Sequence, residues 1–151
     1  MSVDWTIDTA IRDSNESDRT AILALLSSCG LPVEDIASYP SLRFVVAERG
    51  GIVIGCAARE ASSPEALVRS LVVVPDSRND GIGSSLLREV EARCRTEGVR
   101  AAYVLTTTAE QFLARHGYVR LDRGEAPASI QATSEFRTTC PVSAVFMRKT
   151  L

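Results

Sequence analysis

Residues 71–87, LVVVPDSRNDGIGSSLL, constrain this chain more than any other stretch. The unbroken apolar run from Leu71 to Val74 marks a strand buried on both faces. A polar loop carrying Arg78-x-x-Gly81-x-Gly83 follows, and Ile82, Leu86, Leu87, Val90 and Cys94 then recur on one helical face that ends near Gly98. Strand, glycine loop and helix in that order bring backbone N–H groups and the positive end of a helix dipole to one place, so a phosphate is the natural ligand. The glycines alone carry little weight, because at a frequency of about 7% two at this spacing arise on the order of once in a chain this long; a loop that merely permits a tight turn is the competing reading. What is missing narrows the ligand further. No Gly-Lys-Ser/Thr follows, against a nucleoside triphosphate, and Leu86 occupies the last position of a G-x-G-x-x-G/A dinucleotide pattern, against NAD.

Around this segment strands and helices alternate. A strand over residues 6–12 leads to Asp13, Ser14 and Asn15, which offer N-cap oxygens to a helix over 17–29 whose apolar face is Ile22, Leu25, Leu26 and Cys29. A short helix over 33–37 precedes Pro40. Residues 44–48 and 52–59 flank Gly50-Gly51, the signature of a hairpin, and the buried strand runs over 66–75. Beyond the glycine loop and its helix come a strand over 101–105, a helix over 109–116, a strand over 118–122, a loop over 123–129, a helical stretch over 130–136 and a terminal strand over 142–149. The expected fold is α/β, a mixed sheet covered by helices, in one domain over 1–151.

Charge and composition remove several function classes. The net charge is -2 and aromatic residues make up 5%, which supplies neither a basic surface for phosphate backbones nor stacking platforms for bases and argues against a nucleic-acid partner. The charge is uneven, with residues 1–76 acidic and residues 77–151 basic, so an anionic ligand prefers the second half. No apolar run approaches the roughly 20 residues of a membrane span, and no basic leader opens the chain. Cys29, Cys56, Cys94 and Cys140 form no C-x-x-C pair, so no metal site is expected and reduced thiols in the cytoplasm are.

The R-x-x-G-x-G segment between a central strand and a helix resembles the central motif of the GNAT superfamily of acetyl-CoA-dependent acetyltransferases. The resemblance extends in element order over nearly the whole chain and implies a mostly antiparallel sheet with a cofactor cleft between two splayed central strands. It also implies that backbone amides of Arg78, Asn79, Asp80, Gly81, Ile82, Gly83 and Ser84 hold the pyrophosphate of coenzyme A. Main-chain groups of Leu71, Val72 and Val73 would pair with the pantetheine arm and the acetyl carbonyl, with the Leu71 region stabilising the oxyanion. Phe112-Leu-Ala-Arg115-His-Gly-Tyr118 is similar to the family's F-Y-x-x-x-G-F segment, which adds Phe112 and Arg115 to the cofactor set. The family's frequent thiolate-protonating tyrosine falls at Leu113, so the general acid is unassigned. The tail, with Ala126-Pro127, Glu135-Phe136 and Cys140-Pro141-Val-Ser143, is most similar to N-acetylglutamate-synthase-like and arsenic-resistance-associated acetyltransferases, which implies a glutamate-like amino acid, organoarsenical ones included, as acceptor.

Several side chains carry a role on this reading and a plainer one beside it. Arg69 lies inside an apolar strand, on alternation shares a face with Leu71 and Val73, and needs an anion, either a substrate carboxylate or an internal one such as Glu60. Arg59 and Glu60 end the preceding strand. Arg59 is a further carboxylate binder or a solvated charge, with Arg137 as another alternative, and Glu60 is the candidate water-linked base. Ser143 faces the substrate in the glutamate-acetylating relatives and is retained as a catalytic and substrate-binding candidate. His116 before Gly117 reads as a helix-end stabiliser. The co-substrate expected is acetyl-CoA, the partner a small-molecule amine, and a homodimer is kept open. A silent coenzyme A sensor and a protein N-terminal or lysine acetyltransferase are the rival functions.

Overall fold

The computed structural model describes residues 9–31, 33, 36, 42–78, 80–133, 135–139 and 143–151. Strand β1 (Thr9–Asp13) runs into a capped turn in which Asn15 accepts from the Ser17 N–H while Asp18 accepts from the Asn15 N–H. That reciprocal arrangement satisfies donors at the start of α1 (Arg19–Ser28), and Arg12 grips the same Asp18 carboxylate through two nitrogens at 2.7 and 3.0 Å. The next strands, β2 (Leu42–Arg49) and β3 (Ile52–Ser62), form the expected hairpin, with Gly50 and Gly51 at φ 60° and 80°, where a side chain would be strained.

β4 (Glu65–Val73) pairs antiparallel with β3, then a loop leads to α2 (Ile82–Thr96), β5 (Ala101–Thr106), α3 (Glu110–Arg115), the two-residue β6 (Val119–Arg120), α4 (Ala128–Gln131), a π-helical turn Glu135–Thr139 and β7 (Val145–Thr150). The seven strands form one sheet in the order β1-β2-β3-β4-β5-β7-β6, antiparallel except where β4 meets β5. Helix α2 lays Leu86, Leu87 and Val90, each with no exposed surface, against Val45, Ala57 and Val68 on one face of the sheet. Full burial of such side chains stabilises by roughly 1.5–3 kcal/mol each. The other face takes Leu25 and Leu26 of α1 against Val46, Cys56 and Val72, and Ile130 of α4 near Tyr103 and Phe146. Val72 and Val73 thus face opposite helices, which is the two-sided burial that the apolar run predicts.

Two expectations about the strands change. The strand expected over 118–122 shortens to Val119–Arg120, and the terminal strand begins at Val145. Alternation along β4 also fails at one point. Ala58 pairs with Arg69 and Cys56 with Val72, so β4 holds one more residue than β3 over this span, and Ser70 takes up the extra residue at φ 60°. Arg69 therefore does not share a face with Val73: Val73 packs on the α2 side, whereas Arg69 and its partner Ala58 face the α1 side. The strand and short helix expected to begin at residues 6 and 33 lie partly outside the described residues.

Candidate active site

β4 and β5 run parallel and are paired only over Glu65–Leu67 against Ala101–Tyr103. Beyond this base the strands part, and a cleft of about 450 Å³ opens between Val68–Leu71 on one side and Val104–Thr106 on the other. Cys29 and Gly30 at the end of α1, Leu113 of α3 and Glu135 complete its walls. The bulge at Ser70 turns the chain at this point, so Arg69, Ser70 and Leu71 all reach the cleft despite being consecutive.

The glycine loop adjoins the cleft wall through Arg78, which reaches Cys29. Gly81, at φ 79°, is the residue before α2, and a Cβ added to it would meet nothing within 4 Å, which leaves open space on that side of the loop. The first helical bond of α2 runs from the Ser85 N–H to the Gly81 carbonyl, so the N–H groups of Ile82, Gly83 and Ser84 have no partner inside the helix. A cradle of this kind, beside a cleft between splayed strands, fits an elongated ligand with an anionic end. A Cβ on Gly83 would lie 3.6 Å from the Phe112 ring and 3.9 Å from Val73, ordinary contact distances, so this position faces inward toward α3 and β4. Arg78 is turned back onto the strand: its Nε donates to the Val73 carbonyl at 2.9 Å and its Nη2 to the Cys29 sulfur at 3.7 Å. Asp80 is exposed, with Arg49 at 3.9 Å, and Arg115 is exposed on the last turn of α3; Asn79 lies outside the described residues.

Arg69 is buried, with 1% of its side chain exposed, and its Nε lies 2.9 Å from a carboxylate oxygen of Glu135. Glu135 comes from 66 positions further along the chain, and spacing gave no sign of the encounter. Glu60 is nearly buried on the same face of the sheet as Arg69, since Glu60 pairs with Leu67 and Ala58 with Arg69, but it is not among the described residues of the cleft wall.

The remaining candidates are not gathered here. Arg59 pairs with Val68 and so projects toward α2, where Glu97 takes its guanidinium at 2.6 and 2.7 Å. The hydrogen bonds with Glu97 raise the Arg59 pKa and hold the Glu97 carboxyl below its usual range. Arg59 thus faces away from Arg69 across the sheet, and its carboxylate-binding role gives way to an internal ion pair. Ser143 lines a second, shallow cavity with Arg120, Asp122, Arg123, Glu125 and Phe146, not the cleft that holds Leu71. Arg137 is exposed on the π-helical turn, and Cys140 lies outside the described residues.

Leu113, 2% exposed, stands in the cleft wall where the resembling family's tyrosine is frequent. The nearby Tyr118 hydroxyl does not replace it: it donates to Glu91 at 2.9 Å, on the side of α2. Burial, and then the Glu91 carboxylate, push that phenol far above its ordinary value.

Comparison with known proteins agrees with this architecture. Residues 40–120 match the acetyltransferase (GNAT) domain family. An N-acetyltransferase of Chlorobaculum tepidum is 33% identical over 143 residues, covering 89% of this chain and 88% of its own length. An amino-acid acetyltransferase of Ralstonia nicotianae is 37% identical over 86 residues, 56% of this chain and 19% of that protein. The N-acetylglutamate synthase of Neisseria gonorrhoeae, solved with coenzyme A and N-acetyl-glutamate, superposes with a TM-score of 0.80 at 20% identity over 95% of this chain and 35% of its own. The chain spans about a fifth of the first of these longer enzymes and about a third of the second. A family match over more than half of the sequence, a relative matched over most of both chains and a shared fold lead to one conclusion: this chain belongs to the GNAT family of acetyltransferases.

Proposed function

We propose that the protein moves acetyl from acetyl-CoA to the α-amine of a small glutamate-like amino acid, organoarsenical ones among them. The observation that carries this reading is Arg69, a buried cation set in the wall of the cleft beside Leu71. Relatives named amino-acid acetyltransferases support the same class of acceptor.

Acetyl-CoA supplies an activated thioester, and the chain's own contribution is to bind, orient and exclude water. The N–H groups of residues 82–84 receive the pyrophosphate, and the β4 backbone at Leu71, Val72 and Val73 lies along the pantetheine arm and offers donors to the acetyl oxygen. An α-amine has a pKa near 7.7–8.0, so a sizeable fraction is neutral at neutral pH and a weak base acting through water suffices. Glu60 is the carboxylate for that role, on the Arg69 face of the sheet. Arg69 and Glu135 together present adjacent positive and negative charge, a pattern matched by an amino acid's carboxylate and ammonium.

The test is release of free thiol from acetyl-CoA across a panel of amino acids, peptides and simple amines. Glutamate-like acceptors should be fastest, and preference for peptides would move the reading to protein acetylation. Arg69→Ala should raise the KM or lower kcat/KM for an amino-acid substrate by on the order of a hundredfold, about 2.7 kcal/mol, while coenzyme A affinity holds. An amine without the carboxylate should lose far less; equal losses would make Arg69 a structural partner of Glu135. A second reading rests on Leu113: coenzyme A binding without turnover on any amine would make the protein a sensor of the cofactor.

A further inference from the structure

His116 ties the end of α3 to the first turn of α2. Its Nδ1 lies 2.8 Å from the Phe112 carbonyl, and its Nε2 lies 2.8 Å from the Ser84 hydroxyl. A carbonyl only accepts, so Nδ1 carries a proton and donates to Phe112, which leaves Nε2 to pair with the Ser84 hydroxyl. The Phe112 ring packs on the imidazole, with centroids 4.5 Å apart, and the same ring covers Gly83. Phe112 of α3 and His116 just beyond its end therefore frame consecutive residues at the start of α2, whose N–H groups have no partner inside the helix.

We propose that His116 is a positioning residue for the anionic end of the cofactor, acting through Ser84. A serine in the first turns of a helix can bond back to a carbonyl one turn earlier and bend the helix there. Held by His116, the Ser84 hydroxyl is withheld from that alternative, and the N–H groups of Ile82, Gly83 and Ser84 stay aligned on one anion. The inference rests on the reading that these residues receive the pyrophosphate, and it adds the residue that keeps them in register.

The experiment compares acetyl-CoA with S-acetyl-pantetheine, which has the same thioester and no pyrophosphate. His116→Ala should raise the Kd for coenzyme A and the KM for acetyl-CoA about tenfold, with a smaller change in kcat, and should leave the KM for S-acetyl-pantetheine unchanged. His116→Gln, whose amide can reach the Ser84 hydroxyl, should recover most of the loss. Ser84→Ala should reproduce it, and the double variant should be no worse than either single one. Should His116→Ala fail to fold, the glutamine variant and Ser84→Ala give the same comparison. Unchanged coenzyme A affinity in a folded His116→Ala or Ser84→Ala variant, or an equal loss with S-acetyl-pantetheine, would overturn the proposal. A wild-type protein that binds no coenzyme A overturns instead the pyrophosphate reading beneath it.

Discussion

The guanidinium of Arg69 and the carboxylate of Glu135 meet at 2.9 Å in a part of the cleft where the two side chains are 1% and 5% exposed. A charge pair this deep contributes little beyond what apolar residues would, but removal of one member strands the other. Glu135→Ala should therefore cost about 3 kcal/mol in urea unfolding, and the double variant Arg69→Leu with Glu135→Leu should recover most of it. A double variant as unstable as the single one would show that the two charges do not depend on each other.

The pair Arg59–Glu97 gives a prediction in pH. Glu97 titrates below its ordinary value in the folded protein because Arg59 donates to it, so its contribution to stability is fully present above the unfolded value of about 4.5. It is lost as pH falls through the lower folded value. With 39% of the Glu97 side chain exposed, solvent screening reduces the effect. Glu97→Gln should cost about 1 kcal/mol at pH 7, and the difference from wild type should shrink steadily below pH 4.5. A difference that stays constant to pH 3 would contradict the assignment.

Thiol reactivity should sort the cysteines by burial. Desolvation raises the Cys56 thiol to about 12 and the Cys94 thiol to about 11, so neither forms thiolate readily near neutrality. Cys29, half-buried in the cleft wall, should be alkylated first among the three, and bound coenzyme A should slow it several-fold. Peptide mapping after brief iodoacetamide treatment at pH 8 reads both effects. Labelling of Cys56 before Cys29 would refute the placement.

Ser70 sits at φ 60° with a side chain, a backbone conformation that costs roughly 1 kcal/mol for residues other than glycine. Ser70→Gly should stabilise the fold by about 0.5–1 kcal/mol, and Ser70→Val should destabilise it by more than that. Thermal unfolding of the two variants decides the matter, and an unstable Ser70→Gly variant would argue against the bulge.

Element order was legible because its signals are local. The apolar run at 71–74, the Gly50-Gly51 turn and the i, i+4 spacing of Ile82, Leu86 and Val90 each act within a few residues. The bulge was not, since nothing in Arg69-Ser70-Leu71 marks an extra residue; only the register against β3 reveals it. Long-range partners were hidden for the same reason. Glu97 meets Arg59 and Glu135 meets Arg69 through the topology of the sheet, not through spacing, and Ser143 was placed by resemblance alone. The loop from Arg78 to Ser84 was read correctly as a glycine turn at a helix start, and its tie to His116 needed α3 to be seen folded back on α2.

The short seam between β4 and β5 has a mechanical meaning. Three residue pairs join a plate made of β1 to β4 to a second plate made of β5, β7 and β6. Among the described residues every other strand pairing lies within one plate or the other, so the seam acts as the spine of a half-open book. A guest that spans the opening is a strut as well as a reactant, since it supplies main-chain partners that the two leaves no longer give each other. Each turnover of such a guest removes and restores a beam of the protein's own frame.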